Sequence, residues 1–164
     1  MTRLLLSFVT ALSVSSAACK GGSSSAAAPP QPPNGAPIAF VVEKFTPGAD
    51  RDGKVAIKAY NFSDKTVARY TIAARFTDKD GAVLKVGVGT PFEKDAAWTS
   101  MSGRTYACKP KAWCQFEIEM IEVPAATAKA EVALTSAGAL AADGATFEDD
   151  ELWSSDKGMS DWPL

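Results

Sequence analysis

The sequence of 164 residues contains no histidine. Histidine is the commonest general base and the commonest metal ligand in proteins, so its absence argues against a hydrolase and against a zinc site. The G-x-S-x-G pattern that places a nucleophilic serine on a sharp turn is missing as well. We therefore predict that the protein is not an enzyme, and we expect neither a cofactor nor a metal.

An excess of basic charge is also missing. The chain has 17 Lys and Arg residues against 19 Asp and Glu residues, a formal net charge of −2. Proteins that bind nucleic acid usually carry a basic patch, so we expect no nucleic-acid partner. The acidic residues are concentrated at the C-terminal end, where residues 143–164 hold seven acids and one lysine.

Long hydrophobic runs are absent, and the one clear run, residues 4–14, is short. A transmembrane helix needs about 20 apolar residues. The run follows Arg3 and precedes the small residues 15–18. This order of basic, apolar and small residues predicts a secretory signal peptide over residues 1–18.

Cysteine is scarce, and the first of the three cysteines follows those small residues directly. Ser16-Ala17-Ala18-Cys19 resembles the lipobox of bacterial lipoproteins, in which the cysteine is acylated and becomes the mature N-terminus. The resemblance implies lipidation of Cys19 and a membrane anchor, and Lys20 in the next position implies the outer membrane, facing the periplasm or the cell surface. The alternative is ordinary signal cleavage after Ala18, which also fits a small-x-small site.

Lipidation of Cys19 leaves Cys108 and Cys114 as an even pair in an oxidising compartment, so we predict a disulfide between them. A bridge across this short loop stabilises the fold by about 2–2.5 kcal/mol in the loop-entropy model. The rival interpretation, a redox site, usually has C-x-x-C spacing. The bridge clamps a loop that carries Lys109, Lys111 and Trp113, which we predict as a partner-contact surface; alternatively, Trp113 only covers the disulfide.

Residues 20–37 are rich in Gly, Ser, Ala and Pro and show no periodic apolar pattern. Such a composition cannot build a core, so residues 19–37 are predicted to be a lipidated cysteine followed by a disordered tether. Its typical reach is roughly 20–25 Å, which keeps the folded domain near the membrane.

The folded domain is predicted over residues 38–142, around a stretch of three strands and two turns at residues 54–86. The second strand alternates the apolar residues Tyr70, Ile72, Ala74 and Phe76 with outward-facing residues, the period of a half-buried strand. The third strand of the stretch is predicted at residues 83–88, and further strands are predicted at residues 38–45, 98–106, 114–123 and 129–135. About seven short strands with regular turn signals are typical of an all-β, immunoglobulin-like antiparallel β-sandwich. Two alanine-rich stretches, residues 125–130 and 137–142, could form short helical turns.

The turns of this stretch resemble a known family. The order of alternating strand, Asn-x-Ser-Asp turn, second strand, Asp-Lys-Asp-Gly turn and return strand resembles the FxLYD-type domain, an immunoglobulin-like sandwich common in bacterial lipoproteins. The matching positions are Asn61, Ser63, Asp64, Phe76, Asp78, Asp80 and Gly81. The family implies no catalytic residues. Asp50-x-Asp52-Gly53 and Asp78-x-Asp80-Gly81 also look like half calcium loops, but hairpin turns explain both.

The acidic C-terminal tail, residues 143–164, contains Trp153 and Trp162. One interpretation is a loosely ordered tail. Tryptophan is scarce in disordered chains, so the interpretation we favour is docking on the chain's own sandwich, with a partner contact as the other option.

These observations predict a non-enzymatic outer-membrane lipoprotein whose sandwich binds or scaffolds another cell-envelope component. Two alternatives remain open. One is a small-ligand or glycan-binding module that uses exposed Trp residues. The other is an accessory subunit of an envelope complex that depends on the acidic tail.

Overall fold

The computed structural model describes residues 27–49, 51–155 and 162. The predicted signal peptide and the predicted lipidation site, Cys19, lie outside these residues. The regular secondary structure of the described residues is β-strand, apart from one short turn of 3-10 helix at Arg104–Tyr106. The strands are β1 (Ile38–Pro47), β2 (Gly53–Asn61), β3 (Val67–Thr77), β4 (Val83–Leu84), β5 (Ala97–Ser102), β6 (Trp113–Met120), β7 (Lys129–Leu140) and β8 (Phe147–Ser154).

The strands form two antiparallel sheets. The smaller sheet has the order β1-β2-β6, and the larger has the order β4-β3-β7-β8, with β5 also paired to β3. The two sheets enclose one apolar core, so the predicted all-β sandwich is confirmed, with eight strands. The core is built from alternate residues of the central strands, among them Val55, Ile57, Tyr70, Ile72, Phe76, Ile118, Met120, Val132 and Leu134.

The alternation predicted for β3 is confirmed, and β6 shows the same two-residue period. Tyr70, Ile72 and Phe76 are fully buried. Along β6, Ile118 and Met120 are buried while Glu117 and Glu119 are exposed. A strand turns successive side chains to opposite faces, so the apolar set of each strand fixes which face meets the other sheet.

Several strand boundaries differ from the prediction. Strand β4 has only two residues, and β5 ends at Ser102, before the 3-10 turn. Strand β7 continues to Leu140, so the alanine-rich residues 137–140 are strand and not helical turn. Ala137 and Ala139 are buried against β3, and a Cβ on Gly138 would lie 3.1 Å from the Cβ of Arg69, so small side chains let the strands approach here.

The sandwich also extends beyond residue 142. Strand β8 pairs with the second half of β7 and forms an edge of the larger sheet. Before residue 38, the backbone turns at Gly35 (φ 73°), and Ala36 is buried. Residues on both sides of the predicted domain boundaries therefore belong to the packed structure.

The two ends of the sandwich differ. At the end where the chain enters, Ile38 pairs with Asn61, and the Phe62 N–H donates to the Pro37 carbonyl at 2.7 Å. We call this the entry end. At the far end, Pro47 pairs with Gly53. No helix among the described residues is long and apolar enough to span a membrane.

Candidate functional site

The cysteine knuckle, residues 108–114, is closed by the predicted disulfide: the Cys108 and Cys114 sulfurs are 2.10 Å apart. Cys114 lies in β6 and pairs with Ala59 of the smaller sheet. Cys108 forms an isolated bridge with Val67, the first residue of β3 in the larger sheet. The disulfide closes the short loop as predicted, and it also links the two sheets at the entry end.

The side chain of Asn61 forms hydrogen bonds to the backbone of the cysteine knuckle. It is completely buried, and its side-chain amide donates to the Cys108 carbonyl at 2.9 Å and to the Lys65 carbonyl at 2.8 Å. Its Oδ1 accepts from the Ser63 N–H at 2.9 Å and from the Ser63 hydroxyl at 2.7 Å. Both polar ends of the amide are thus satisfied, as a buried side chain requires. Asn61 and Ser63 are turn formers here.

Tyr70 supports the same region from the core. Its hydroxyl lies 2.8 Å from the Val67 carbonyl and 2.9 Å from the Tyr106 carbonyl. Burial raises the pKa of this phenol far above its usual value, because the charged form loses its hydration. The backbone beside the cysteine knuckle is therefore held by hydrogen bonds to a buried, uncharged phenol.

The side chain of Lys111, one of the predicted contact residues, contacts the chain's own domain. Its Nζ donates to the Phe62 carbonyl and forms an ion pair with Asp64 at 3.1 Å. Its own carbonyl accepts from the Tyr60 hydroxyl at 3.2 Å. Lys109 is exposed on the same knuckle.

Trp113, the predicted aromatic contact, is half-buried in an aromatic cluster made of Tyr60, Phe62 and Trp113. The Tyr60 ring centroid is 5.3 Å from that of Trp113 and 4.8 Å from that of Phe62, both edge to face. The cluster follows from strand register: Tyr60 of β2 pairs with Trp113 of β6, so both rings stand on the outer face of the smaller sheet.

The two tail tryptophans both contact the sandwich. Trp153 lies in β8, opposite Ala137 of β7, and packs against the core. Trp162 lies under Arg75 of β3, whose guanidinium carbon is 4.6 Å from the indole centroid. This is the docking on the chain's own domain that the tryptophans favoured. The structure does not bring either residue into the aromatic cluster.

A second region, which the sequence reasoning passed over, presents apolar side chains to solvent. We call residues 87–93 the apolar loop; it projects from the edge of the larger sheet between β4 and β5. Phe92 is 74% exposed and Val88 is 66% exposed. Single apolar residues are common on protein surfaces, so the informative feature is that two strongly exposed apolar side chains belong to one short loop.

Backbone hydrogen bonds hold the apolar loop in one shape. Val86 and Lys94 exchange both hydrogen bonds at its base, at 2.9 and 3.1 Å. The Thr90 hydroxyl donates to the Gly87 carbonyl at 2.7 Å and accepts from the Phe92 N–H at 3.1 Å.

Glycine is required at the start of this loop. Gly87 has a φ of 65°, and a Cβ there would lie 2.9 Å from the Phe92 carbonyl oxygen. The ion pair of Lys85 and Asp95 flanks the base at 2.7 Å and raises the pKa of the Lys85 ammonium. Phe92 is therefore displayed by a fixed backbone. The signal in the sequence was an apolar pair in a Gly- and Pro-containing loop.

No group of three or more His, Cys, Asp or Glu side chains is placed to hold a metal within the part of the chain that the structure describes. At the 78–81 turn, the Asp78 carboxylate accepts the N–H groups of Asp80 and Ala82, both at 2.9 Å, which is turn chemistry.

Comparisons with known proteins add little. No protein-family model matches the chain, and no curated protein matches it. Among solved structures, the chain is similar to IrmA from Escherichia coli, with 14% sequence identity, 68% of this chain and 83% of that chain covered, and a TM-score of 0.38. A TM-score that low carries no argument about function. The FxLYD-type and lipoprotein resemblances stay predictions.

Proposed function

We propose that the protein is a non-enzymatic lipoprotein, anchored in the membrane through Cys19, whose β-sandwich binds another protein of the cell envelope. The observation that carries the proposal is the apolar loop with its exposed Phe92. Aromatic residues, phenylalanine included, are enriched in protein–protein interfaces. A loop already fixed in shape also loses little conformational freedom on binding.

The proposed membrane location is inferred from the signal-like residues 1–18 and the lipobox-like Ser16–Cys19 sequence. Acyl chains contribute about 0.8 kcal/mol per buried CH₂, and more than one chain makes attachment stable. We expect Cys19→Ser to move the protein from the membrane fraction to the soluble fraction. Unchanged membrane fractionation of the variant would contradict lipid anchoring.

The position of the loop is compatible with this arrangement. The chain enters the sandwich at Ile38, at the entry end, whereas β4 begins beside Thr77, at the end of β3 remote from Val67. The rings of Phe45 and Phe76 are 6.3 Å apart, which shows that the far ends of both sheets coincide. The apolar loop leaves the sheet edge in the far half, away from the membrane tether that we propose.

In-cell cross-linking followed by mass spectrometry tests the partner. We expect the unsubstituted protein to yield a stoichiometric envelope-protein adduct, and Phe92→Ser to lose at least nine tenths of it. Ile121→Ser is the matched control, because Ile121 is 67% exposed but lies outside the loop. An adduct that persists in Phe92→Ser, or that is lost equally in both variants, would contradict binding through the loop.

A glycan-binding function is the second candidate, and the aromatic cluster favours it. Three half-buried rings stand on the outer face of the smaller sheet beside Asp64, whose side chain is 90% exposed. Sugar recognition commonly combines an aromatic surface with such a polar group. Soluble glycans should then quench Trp fluorescence saturably, and Tyr60→Ala should abolish the quenching. A flat titration across glycan classes would exclude this candidate.

A further inference from the structure

Two strand edges lie side by side on one flank of the sandwich. Strand β1 is an edge of the smaller sheet, and it packs against β7 of the larger sheet. Strand β8 covers β7 only from Ser136 onward. Among the described residues, the first half of β7 therefore has a strand partner only on its β3 side. Such edges are a common place for an added peptide segment.

A groove runs between these edges, and the Trp162 side chain forms part of its lining. We call it the flank groove. Its apolar walls come from Phe40 and Val42 of β1, and from Ala130 and Val132 of β7. A neighbouring groove on the same flank shares Phe40 and Val132, and there the proline-rich residues 29–33 form the opposite wall.

A fixed cation completes the flank groove. Arg75 donates from Nε and Nη2 to the same Glu131 carboxylate oxygen, at 3.1 and 2.6 Å. These two contacts hold the guanidinium in one orientation, and its carbon lies 4.6 Å from the centroid of the Trp162 ring. A guanidinium over an indole face is the most favourable common cation–π arrangement. The groove thus offers both an apolar slot and an oriented cation to an aromatic side chain.

We propose that the flank groove is a docking site for a short peptide segment of a partner protein that carries an aromatic side chain. The chain's own Trp162 is the resident occupant, which the incoming segment displaces. The proposal does not depend on the apolar loop, since the groove lies on the β1–β7 flank and the loop projects from the β4–β5 edge.

The resident Trp162 sets how strongly a free peptide can compete. Trp162 belongs to the same chain as the groove, and a tethered competitor of this kind has an effective concentration on the order of 1 mM. For a free peptide with a dissociation constant of about 0.1 mM, this competitor weakens apparent binding by about tenfold. Removal of the Trp162 side chain should restore the full affinity.

The test uses the complete chain and a fluorescent peptide that copies residues 156–164. In Trp162→Ala we expect saturable binding, about tenfold tighter than to the unsubstituted chain, and no binding of a peptide in which its own tryptophan is alanine. Adding Arg75→Leu to Trp162→Ala should abolish binding. Arg69→Leu is the matched control, since Arg69 lies on the same strand and over a different ring, that of Phe147, at 4.4 Å.

These affinities are compared only among variants whose melting temperature equals that of the unsubstituted chain. Equal affinity of the peptide for the unsubstituted chain and for Trp162→Ala would overturn the proposal, and so would a failure to bind Trp162→Ala. A concentration-dependent dimer that disappears in Trp162→Ala would also overturn it, because the occupant would then be the tail of a second copy.

Discussion

The cysteine knuckle and the apolar loop each place an aromatic residue on the surface, but they treat it in opposite ways. In the knuckle, Trp113 packs on Tyr60, and Lys111 is tied to Asp64 and to the Phe62 carbonyl. In the loop, Phe92 is 74% exposed, although backbone hydrogen bonds between Val86 and Lys94 fix the base of the loop. The difference indicates that the knuckle mainly stabilises the entry end, while the loop is built to display a side chain.

Removal of the buried Asn61 amide, which hydrogen-bonds to the cysteine knuckle, should reduce the stability of the fold most strongly. Asn61→Ala removes the donor to the Cys108 and Lys65 carbonyls and leaves buried polar groups unsatisfied. We expect a loss of about 3 kcal/mol in the free energy of unfolding, measured by urea denaturation. Ser63→Ala, which removes the hydroxyl contacts with Asn61 and Lys65 at a more exposed position, should cost much less. A cost below 1 kcal/mol for Asn61→Ala would contradict its central role in the knuckle.

Removal of the disulfide should have the next largest effect. The double variant Cys108→Ala/Cys114→Ala loosens the link between the two sheets. We expect a loss of about 2–2.5 kcal/mol in unfolding free energy, also by urea denaturation. A free-thiol assay on the unfolded, non-reduced protein should find neither Cys108 nor Cys114 reactive. Two reactive thiols would rule out the bridge.

Alkaline pH should destabilise the entry end of the sandwich through ionisation of Tyr70. Its pKa is raised by burial, so its contribution to stability is complete below the unfolded pKa of about 10 and is lost as the pH rises above it. The unsubstituted protein should lose about 1.4 kcal/mol more per pH unit above that value than Tyr70→Phe. Identical slopes for the two proteins in urea titrations between pH 9 and about 11 would refute this burial effect.

The apolar loop should show the smallest change in stability. Phe92→Ser removes an exposed side chain that makes little packing contact, so we expect a change within about 0.5 kcal/mol in unfolding free energy. Thermal melting of the variant beside Ile121→Ser provides the check. A loss above 2 kcal/mol would show that Phe92 supports the fold and is not held out for a partner.

Much of the fold was predictable because its strands obey the two-residue period. Tyr70, Ile72 and Phe76 were identified as core residues from alternation alone. The helical-turn option for residues 137–142 was wrong, since small residues there reflect close approach to β3 and not helix propensity. Strand β8 was missed because an edge strand with four consecutive acids resembles a solvated tail.

The candidate site was less predictable, since it depends on register and exposure. The disulfide followed from cysteine counting, but its link between the two sheets did not, because Cys108 pairs with Val67 from far along the chain. Whether Trp113 is displayed or packed is decided by its cross-strand neighbour, Tyr60. The exposure of Phe92 depends on a turn geometry set by Gly87, which pattern reasoning does not reveal.

Site-specific photo-cross-linking in cells tests whether the apolar loop, and not the cysteine knuckle, contacts a partner protein. A photoreactive amino acid is placed at position 92 of the apolar loop and, in a second strain, at position 113 of the knuckle. We expect a discrete adduct with one envelope protein from position 92 and little or none from position 113. An adduct from position 113 with none from position 92 would contradict this expectation and would return the contact surface to the cysteine knuckle.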